Sequence, residues 1–160
     1  VGGKDYFEQA SKGMKKDYSN ETVDNTLVKE EYFPPCIQNL LKGRKEDGRK
    51  RALFILMNFF NSLNYSQNHT REKLLEWNKR NYEPLHEGYI AAQLNSMARS
   101  PKKLLPPNCE NDAYYKDLGV SCIPDIHCQK LKNPLNFTLS KMRMVQKIKK
   151  QIKKTSSSDK

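Results

Sequence analysis

The chain has 160 residues and a formal net charge of +11, since 29 Lys and Arg outnumber 18 Asp and Glu. This length suits one domain, or one domain with a tail, and a hydrophobic share of 36% permits a core that excludes part of the chain. The longest nearly uncharged apolar run, residues 52–63, is too short to cross a bilayer, and no N-terminal stretch resembles a signal peptide. We therefore expect an intracellular protein.

The elements predicted along the chain are helices, because strand-like alternation is nearly absent. Residues 1–31 are polar and charge-mixed, which predicts a linker or loosely ordered arm. A first helix is expected over residues 34–43. A second, over residues 48–63, is apolar on most of its circumference and should be the buried central helix. A third is expected over residues 70–79.

The second half of the chain continues the helical pattern. Pro84 suits the first turn of a fourth helix, and Pro101 bars its extension. A short helix is expected around Tyr114 and Tyr115. After Pro134 a last helix fits, with an apolar stripe of Leu139, Met142, Val145, Ile148 and Ile152, and residues 155–160 should be disordered.

Two basic segments favour a polyanionic partner such as nucleic acid. Residues 42–51 contain six basic and two acidic residues and join two apolar helices, so the fold should hold them in place. Residues 141–154 contain seven basic residues and no acidic one. We expect the first segment to form a specific surface and the second to act as a mobile arm with non-specific contacts.

The cysteines are Cys36, Cys109, Cys122 and Cys128. They are too sparse for a disulfide scaffold, and none forms the short C-x₂₋₄-C knuckle of most zinc sites. One remote and three clustered thiolates suit a [4Fe–4S] centre, although four ordinary cysteines fit the spacing equally well. Cys36 and Cys109 each follow a Pro-Pro pair, which predicts rigid helix starts that favour thiolates.

The flanks of these cysteines carry a resemblance to a known family. They read FPPCIQNLL at residues 33–41, LPPNC at 105–109, LGVSC at 118–122 and NPLNF at 133–137. In this order they resemble the iron–sulfur domain of the archaeal and eukaryotic DNA primase large subunit. The short spacing after Cys109 is similar to the archaeal branch.

The resemblance implies an all-α fold with two helical lobes around a buried [4Fe–4S] cluster, held by all four cysteines. It covers residues 32–137, which leaves residues 138–160 as a basic helix and disordered tail. It also implies a non-catalytic domain of DNA primase that binds template DNA and the initiating nucleotide, or the 5′-triphosphate of the RNA primer, to support primer initiation in replication.

The residues predicted to contact nucleic acid or nucleotide are basic or aromatic. They are Lys42, Arg44, Lys45, Arg49, Lys50, Arg51, Trp77 and Tyr89. Arg49, Lys50 and Arg51 suit a triphosphate, because cations at a helix start attract an anion. Trp77 and Tyr89 suit base stacking, although core packing is the favoured alternative for Trp77 and an equal one for Tyr89.

Catalytic residues are not apparent in the sequence. Nucleotidyl transfer needs carboxylates that hold two metal ions, and no aspartates form an Asp-x-Asp pair on an apparent strand. We therefore expect a catalytic primase subunit or domain as partner, in the cytoplasm or nucleoid of an archaeon or in a replisome.

Other hypotheses come from different classes of protein. The main alternative is a zinc-stabilised nucleic-acid-binding module, with Zn²⁺ on the cysteines and a histidine where needed. A cluster-bearing nuclease or glycosylase would need a paired carboxylate or Lys/Asp site, which the sequence does not suggest. A secreted two-disulfide protein would suit the Asn-x-Ser/Thr sequons, but it would need a signal peptide.

Overall fold

The computed structural model describes residues 28–120, 128 and 130–158. Within these residues the protein is all-α, as the sequence predicts: a 3-10 helix, Glu30–Tyr32, precedes five α-helices, and there is no strand. The α-helices are α1, Pro35–Leu41; α2, Arg49–Ser62; α3, Gln67–Lys79; α4, Glu87–Arg99; and α5, Pro134–Ser158.

Helix α2 is the centre of the fold, which confirms the prediction of a buried central helix. All but one of its side chains from Ala52 to Phe60 are buried, and it packs against α1, α3 and α5. The ring of Phe33 meets that of Phe59 edge-on, with 5.0 Å between the ring centroids. Because full burial of such a side chain contributes about 1.5–3 kcal/mol, this cluster holds the domain together.

Helix α3 begins one turn earlier than the sequence predicts. The hydroxyl of Ser66 accepts a hydrogen bond of 3.1 Å from the His69 N–H, so Ser66 caps the helix and Gln67 becomes its first residue. At the other end of α3, the Trp77 side chain is fully buried. Its indole N–H donates to the Leu40 carbonyl over 2.8 Å, which ties α3 to the end of α1.

Helix α4 begins at Glu87, so the prediction that Pro84 lies in its first turn is wrong. The buried side chain of Asn78 explains the later start. Its amide donates to the Leu85 carbonyl and accepts from the Leu85 N–H, both over 2.8 Å. This pair of bonds holds the chain in a loop across the end of α3 before α4 can begin.

Residues 109–119 form consecutive turns, so the prediction of a short helix around Tyr114 and Tyr115 is wrong. The Tyr114 N–H bonds the carbonyl three residues back, whereas the Val120 N–H reaches five residues back to Tyr115. Gly119, with φ of +68°, supplies the left-handed residue that closes this last turn. The Tyr115 hydroxyl donates to the Pro107 carbonyl and fixes the turns to the preceding loop.

Helix α5 crosses the predicted boundary between residues 137 and 138. Leu135, Phe137 and Thr138 in its first turns are all buried, so its start belongs to the core. The prediction of disorder is wrong for residues 155–158, which are helical, and residues 159–160 lie outside the described part. The Thr155 hydroxyl donates to the carbonyls of Gln151 and Ile152, one turn back in the helix. In the described chain every helix is too short or too polar to span a bilayer.

The domain begins earlier than the predicted arm allows. Val28 is buried, and its carbonyl accepts a hydrogen bond of 2.5 Å from the Tyr65 hydroxyl. Burial, with a smaller effect of the Glu30 charge, raises the pKa of Tyr65 to about 12. Glu30 also pairs with Lys73 over 2.8 Å. Residues 28–31 therefore pack on the domain, whereas residues 1–27 of the predicted arm lie outside the described part.

Candidate functional site

A cleft between α2 and α4 brings together several of the residues predicted to bind nucleotide. It has a volume of about 210 Å³. Its lining combines two cations with aromatic, apolar and amide side chains: Lys50, Arg51, Leu53, Phe54, Met57, Tyr89, Gln93 and Tyr114. We call it the α2–α4 cleft. The sequence predicted Lys50, Arg51 and Tyr89 as site residues, and the structure gathers all three here.

Aromatic rings form two walls of the α2–α4 cleft. The Lys50 Nζ atom lies 4.9 Å from the centroid of the Tyr89 ring, a cation–π contact that holds both groups at the mouth. Opposite, the rings of Phe54 and Tyr114 lie 5.7 Å apart between centroids at a tilt of 36°. Tyr89 is only half-buried, so part of its ring stays accessible to a ligand.

Arg51 connects the start of α2 to the turns that follow Cys109. Its Nη1 donates to the Ala113 carbonyl over 2.6 Å, yet the residue is exposed. A guanidinium has five N–H donors, so one bond to a carbonyl leaves several for an anion. The bond therefore orients Arg51 at the edge of the cleft and leaves most of its N–H donors available.

Arg49 points away from the α2–α4 cleft. Its guanidinium donates to the Glu83 carbonyl and lies 3.9 Å from the Glu83 carboxylate. The structure thus separates the three basic residues that the sequence predicted to act together. Lys50 and Arg51 line the cleft, whereas Arg49 joins α2 to the loop before α4.

The remaining predicted cations lie around the loop between α1 and α2. The Arg44 N–H donates to the Asn81 side chain over 2.7 Å, and its carbonyl accepts from Tyr82 over 2.9 Å. Lys42 and Lys45 are exposed. Each lies beside carboxylates, which are Glu30 and Glu31 for Lys42, and Glu46, Asp47 and Glu83 for Lys45. The surface here is fixed in place but mixed in charge.

Trp77 does not belong to this surface. Its side chain is fully buried and hydrogen-bonded to the carbonyl of Leu40. In this position the indole has no face open to a base, so the prediction that Trp77 stacks on nucleic acid is wrong. Core packing, the favoured sequence-based alternative, is what the structure contains.

The start of α2 carries an uncompensated positive charge. Arg49, Lys50 and Arg51 occupy its first turn, Gly48 provides no side-chain cap, and the turn contains no acidic residue. Cations near a helix N-terminus are repelled by the helix dipole, by about 0.3–1 kcal/mol each at exposed sites. Of these three cations, Arg49 alone has a carboxylate of the described residues within ion-pair distance. An anion bound beside Lys50 and Arg51 would therefore stabilise the helix.

The cysteines are in different environments. Cys36 is buried in the first turn of α1, Cys128 is half-buried and Cys109 is exposed. Cys122 lies outside the described residues. Cys36 stands at a helix start as predicted, but Cys109 is in a turn, so the prediction of a helix start is wrong there. The Cys109 N–H donates to the Lys132 carbonyl over 2.7 Å.

Hydrogen bonds at the base of α5 join the segments that carry Cys109 and Cys128. The Asn133 side chain donates to the Pro106 carbonyl over 2.7 Å and to the Asn108 side chain over 3.0 Å. Its oxygen accepts from the Leu135 N–H at the helix start. Asn133 thus joins the segments that carry Cys109 and Cys128, and the short helix before Cys36 also contacts α5.

A complete ligand set is not formed by the described residues alone. Within residues 28–120, 128 and 130–158, no three His, Cys, Asp or Glu side chains gather as metal ligands. The kind of donor nevertheless fits a thiolate centre, since cysteine thiolates are the usual ligands of iron–sulfur clusters and Cys109 and Cys128 lie on segments joined by hydrogen bonds.

Comparison with known proteins supports the family suggested by the motifs. This chain is 26% identical to the DNA primase large subunit PriL of Pyrococcus horikoshii over 75% of this chain and 39% of that protein. It is also 26% identical to PriL of Pyrococcus abyssi, over 86% of this chain and 45% of that protein. The resemblance to the primase large subunit is confirmed.

The chain spans less than half the length of the curated relatives it matches. No protein-family model matches it. No solved structure matches it either. The likeness therefore rests on sequence similarity to the two primase large subunits together with the ordered cysteine motifs.

Of the side chains that line the α2–α4 cleft, sequence reasoning missed the apolar Leu53 and Met57 and also Phe54, Gln93 and Tyr114. The last three contribute aromatic or polar groups. Helical spacing gave a usable signal for two of them, because Phe54 lies four residues after Lys50, and Gln93 four residues after Tyr89, on the same helix faces. Tyr114 had no local signal, since it reaches the cleft from a turn more than fifty residues after α2.

Proposed function

We propose that this chain is a non-catalytic helical domain of a DNA primase large subunit. In this proposal it binds template DNA and the 5′-triphosphate of the primer, or the initiating nucleotide, and so supports primer initiation. The observation that carries the proposal is the pair of cations beside two tyrosine rings in the α2–α4 cleft. Similarity to the primase large subunit supports the assignment to replication.

The phosphates would bind beside Lys50 and Arg51. A guanidinium can donate two parallel hydrogen bonds to a phosphate, and Lys adds a mobile point charge. The dipole of α2 acts in the same direction, because its N-terminal N–H groups favour an anion. Each charge-assisted hydrogen bond contributes about 1.5–3 kcal/mol before screening.

The base or ribose of the same nucleotide would lie against Tyr89. Stacking on an aromatic ring contributes about 1–3 kcal/mol per base and is tolerant of sequence. Tyr89 lies on α4 and the phosphate-binding cations on α2, so one nucleotide would bridge two helices that pack through α3. Such a bridge would orient the 5′ end of a primer relative to the domain.

The template would run along the exposed cations outside the cleft. Lys42 and Lys45 flank the loop between α1 and α2, and Arg44 fixes that loop to residues 81–82. Neighbouring carboxylates limit the positive potential there. We therefore assign these residues a weaker, sequence-independent contact with the backbone.

Nucleotide addition is assigned to a catalytic primase subunit or domain, which would supply the carboxylates that hold two metal ions. The present chain would contribute binding and orientation. Holding the primer end near the catalytic subunit lowers the entropic cost of the first bond-forming encounter. This role places the protein with the replication machinery inside the cell.

A [4Fe–4S] cluster would be held by Cys36, Cys109, Cys122 and Cys128. When bound, the cluster would act as a covalent crosslink between the start and the end of the domain, whether or not it also changes oxidation state. The hydrogen bonds of Asn133 would orient two of the ligand-bearing segments. A zinc ion on the same thiolates is the competing assignment.

The metal assignment is tested by anaerobic purification. We expect iron, labile sulfide and absorbance near 400 nm in the wild-type protein. The Cys36→Ser variant should lose them and melt at a lower temperature, because a group that binds only the folded state stabilises it. Zinc in place of iron would support the alternative. Full iron content with an unchanged melting temperature in Cys36→Ser would refute the four-thiolate site.

The nucleotide site is tested by titration with template–primer duplexes. The duplexes differ only in a 5′-triphosphate, 5′-monophosphate or 5′-hydroxyl on the RNA strand. We expect the triphosphate to bind about tenfold more tightly than the hydroxyl, which corresponds to about 1.4 kcal/mol. The monophosphate should fall between them, since it offers fewer charges.

A control variant, Lys42→Ala with Lys45→Ala, removes two cations that lie outside the cleft. This variant should bind all three duplexes more weakly but keep the preference among them. Equal affinity of the wild-type protein for triphosphate and hydroxyl ends would refute the proposed site, and would leave only a basic nucleic-acid-binding domain.

A further inference from the structure

Helix α5 has two halves with opposite environments. Leu135, Phe137 and Thr138 are buried against the domain. From Gln146 onward, through residue 157, every side chain is exposed. We call residues 146–157 distal α5. At 1.5 Å per residue, this part of the helix extends for about 18 Å without cover from the described residues.

An apolar stripe follows one side of α5 into the exposed half. Met144, Ile148 and Ile152 are spaced four residues apart, so they lie on one face of the helix. Their exposed fractions are 43%, 53% and 61%. Half-buried Val145 lies beside them. Val145, Ile148 and Ile152 have the i, i+3, i+7 spacing by which amphipathic helices anchor in grooves.

The charged side chains of distal α5 are all basic. Its cations are Lys147, Lys149, Lys150, Lys153 and Lys154, and residues 134–158 contain no Asp or Glu. The pairs Lys149–Lys153 and Lys150–Lys154 stand four residues apart, the spacing at which like charges destabilise a helix. A partner that supplies both apolar cover and negative charge would therefore stabilise distal α5.

We infer that distal α5 docks in a groove of another protein, with an apolar floor for Met144, Ile148 and Ile152 and acidic rims for the lysines. A nucleic acid would satisfy the charges but would give the apolar stripe no contact. A helix that lies on a membrane needs a broad apolar face and commonly carries Trp, Phe or Leu. The stripe here is one side chain wide and contains no aromatic residue, which suits a narrow groove.

The proposal is tested with a synthetic acidic amphipathic helix as the probe, with Leu at its heptad a and d positions and Glu at e and g. Binding to the full chain is measured by calorimetry. We expect saturable binding with one peptide or one peptide pair per chain. Amides of residues 146–157 should become protected from hydrogen exchange when the probe binds.

Two double variants test the apolar stripe and the lysine charges separately. Ile148→Ser with Ile152→Ser removes the stripe and keeps the charge, whereas Lys149→Gln with Lys153→Gln does the reverse. Each should weaken probe binding about tenfold or more. Gln146→Ser with Gln151→Ser, a matched change at polar positions, should leave it within about twofold. Full binding by the Ile148→Ser, Ile152→Ser variant would overturn the proposal, because charge alone would then suffice.

A membrane and a nucleic acid, the two other candidate partners, are tested in parallel. Vesicles of phosphatidylserine and phosphatidylcholine stand for an anionic membrane, and duplex DNA stands for nucleic acid. Tighter binding to vesicles than to the probe, lost in the Ile148→Ser, Ile152→Ser variant, would overturn the protein groove in favour of a membrane surface. Binding to DNA alone, unchanged in that variant, would overturn it in favour of a phosphate-binding arm. These outcomes do not depend on the triphosphate titration, so the two proposals fail separately.

Discussion

The two basic segments have almost the same number of cations in the sequence and different surroundings in the structure. Residues 42–51 carry six cations whose side chains or backbones contact specific partners, among them Glu83, Ala113 and the Tyr89 ring. Residues 141–154 carry seven cations, and most of them stand on an exposed helix without acidic neighbours. Charge density therefore does not distinguish a shaped site from a docking helix, but the contacts of each cation do.

The first segment depends on its glycines for its shape. Gly43 has φ of +94°, and a methyl group there would collide with the Arg80 carbonyl group. We expect Gly43→Ala to destabilise the protein by about 2–6 kcal/mol, from backbone strain and from the clash. Urea denaturation measures the change in the free energy of unfolding.

Gly88→Ala is the control for this change, since a methyl group there meets no atom within 4 Å. Gly88 lies in α4, where Ala is the better helix former, so the variant should gain up to about 1 kcal/mol. Wild-type stability in Gly43→Ala would contradict the account of a loop held against residue 80.

Helix α5, which carries the second segment, should divide into a half that stabilises the domain and a half that does not. Leu135 is 2% exposed, whereas Ile152 is 61% exposed. Leu135→Ala should cost about 2–5 kcal/mol because it leaves a cavity. Ile152→Ala should change stability by less than about 0.5 kcal/mol. A large loss in Ile152→Ala would show that distal α5 packs on the domain, and would remove the contrast between the segments.

A substitution at Trp77 tests whether the packing beneath residues 42–51 can be weakened without loss of nucleotide binding in the α2–α4 cleft. Trp77→Phe keeps an aromatic ring but removes the donor to Leu40, which lies in the last turn of α1. The expected loss is about 1–3 kcal/mol, and the preference for triphosphate ends should persist. Loss of that preference with stability intact would mean that Trp77 contacts nucleotide after all.

Local patterns predicted most of the fold. The apolar residues of α2 repeat on nearly all sides, and such a pattern can only be accommodated by burial, so its central position was predictable. The residues at which the helices begin and end were less predictable. The cap by Ser66 lengthens α3, and the clamp of Asn78 on Leu85 delays α4, because side-chain hydrogen bonds outweigh the preference of Pro84 for a first turn.

The candidate site was only partly predictable for a related reason. Lys50, Arg51 and Tyr89 could be chosen by residue type and position. The separation of Arg49 from them depends on Glu83, which lies 34 residues away, and the orientation of Arg51 depends on Ala113, 62 residues away. Contacts between residues so distant leave no periodic signal in the sequence. The burial of Trp77 likewise depends on its packing partners, since its position on α3 alone suits either role.

The most direct test compares two variants that each remove two positive charges. Lys50→Ala with Arg51→Ala changes the α2–α4 cleft, and Lys149→Ala with Lys153→Ala changes distal α5. Affinity for template–primer duplexes with 5′-triphosphate and 5′-hydroxyl ends is measured for both. We predict that the first variant loses the roughly tenfold triphosphate preference and the second retains it. A preference that survives in the first variant, or disappears in the second, would contradict the assignment of a nucleotide site to the cleft.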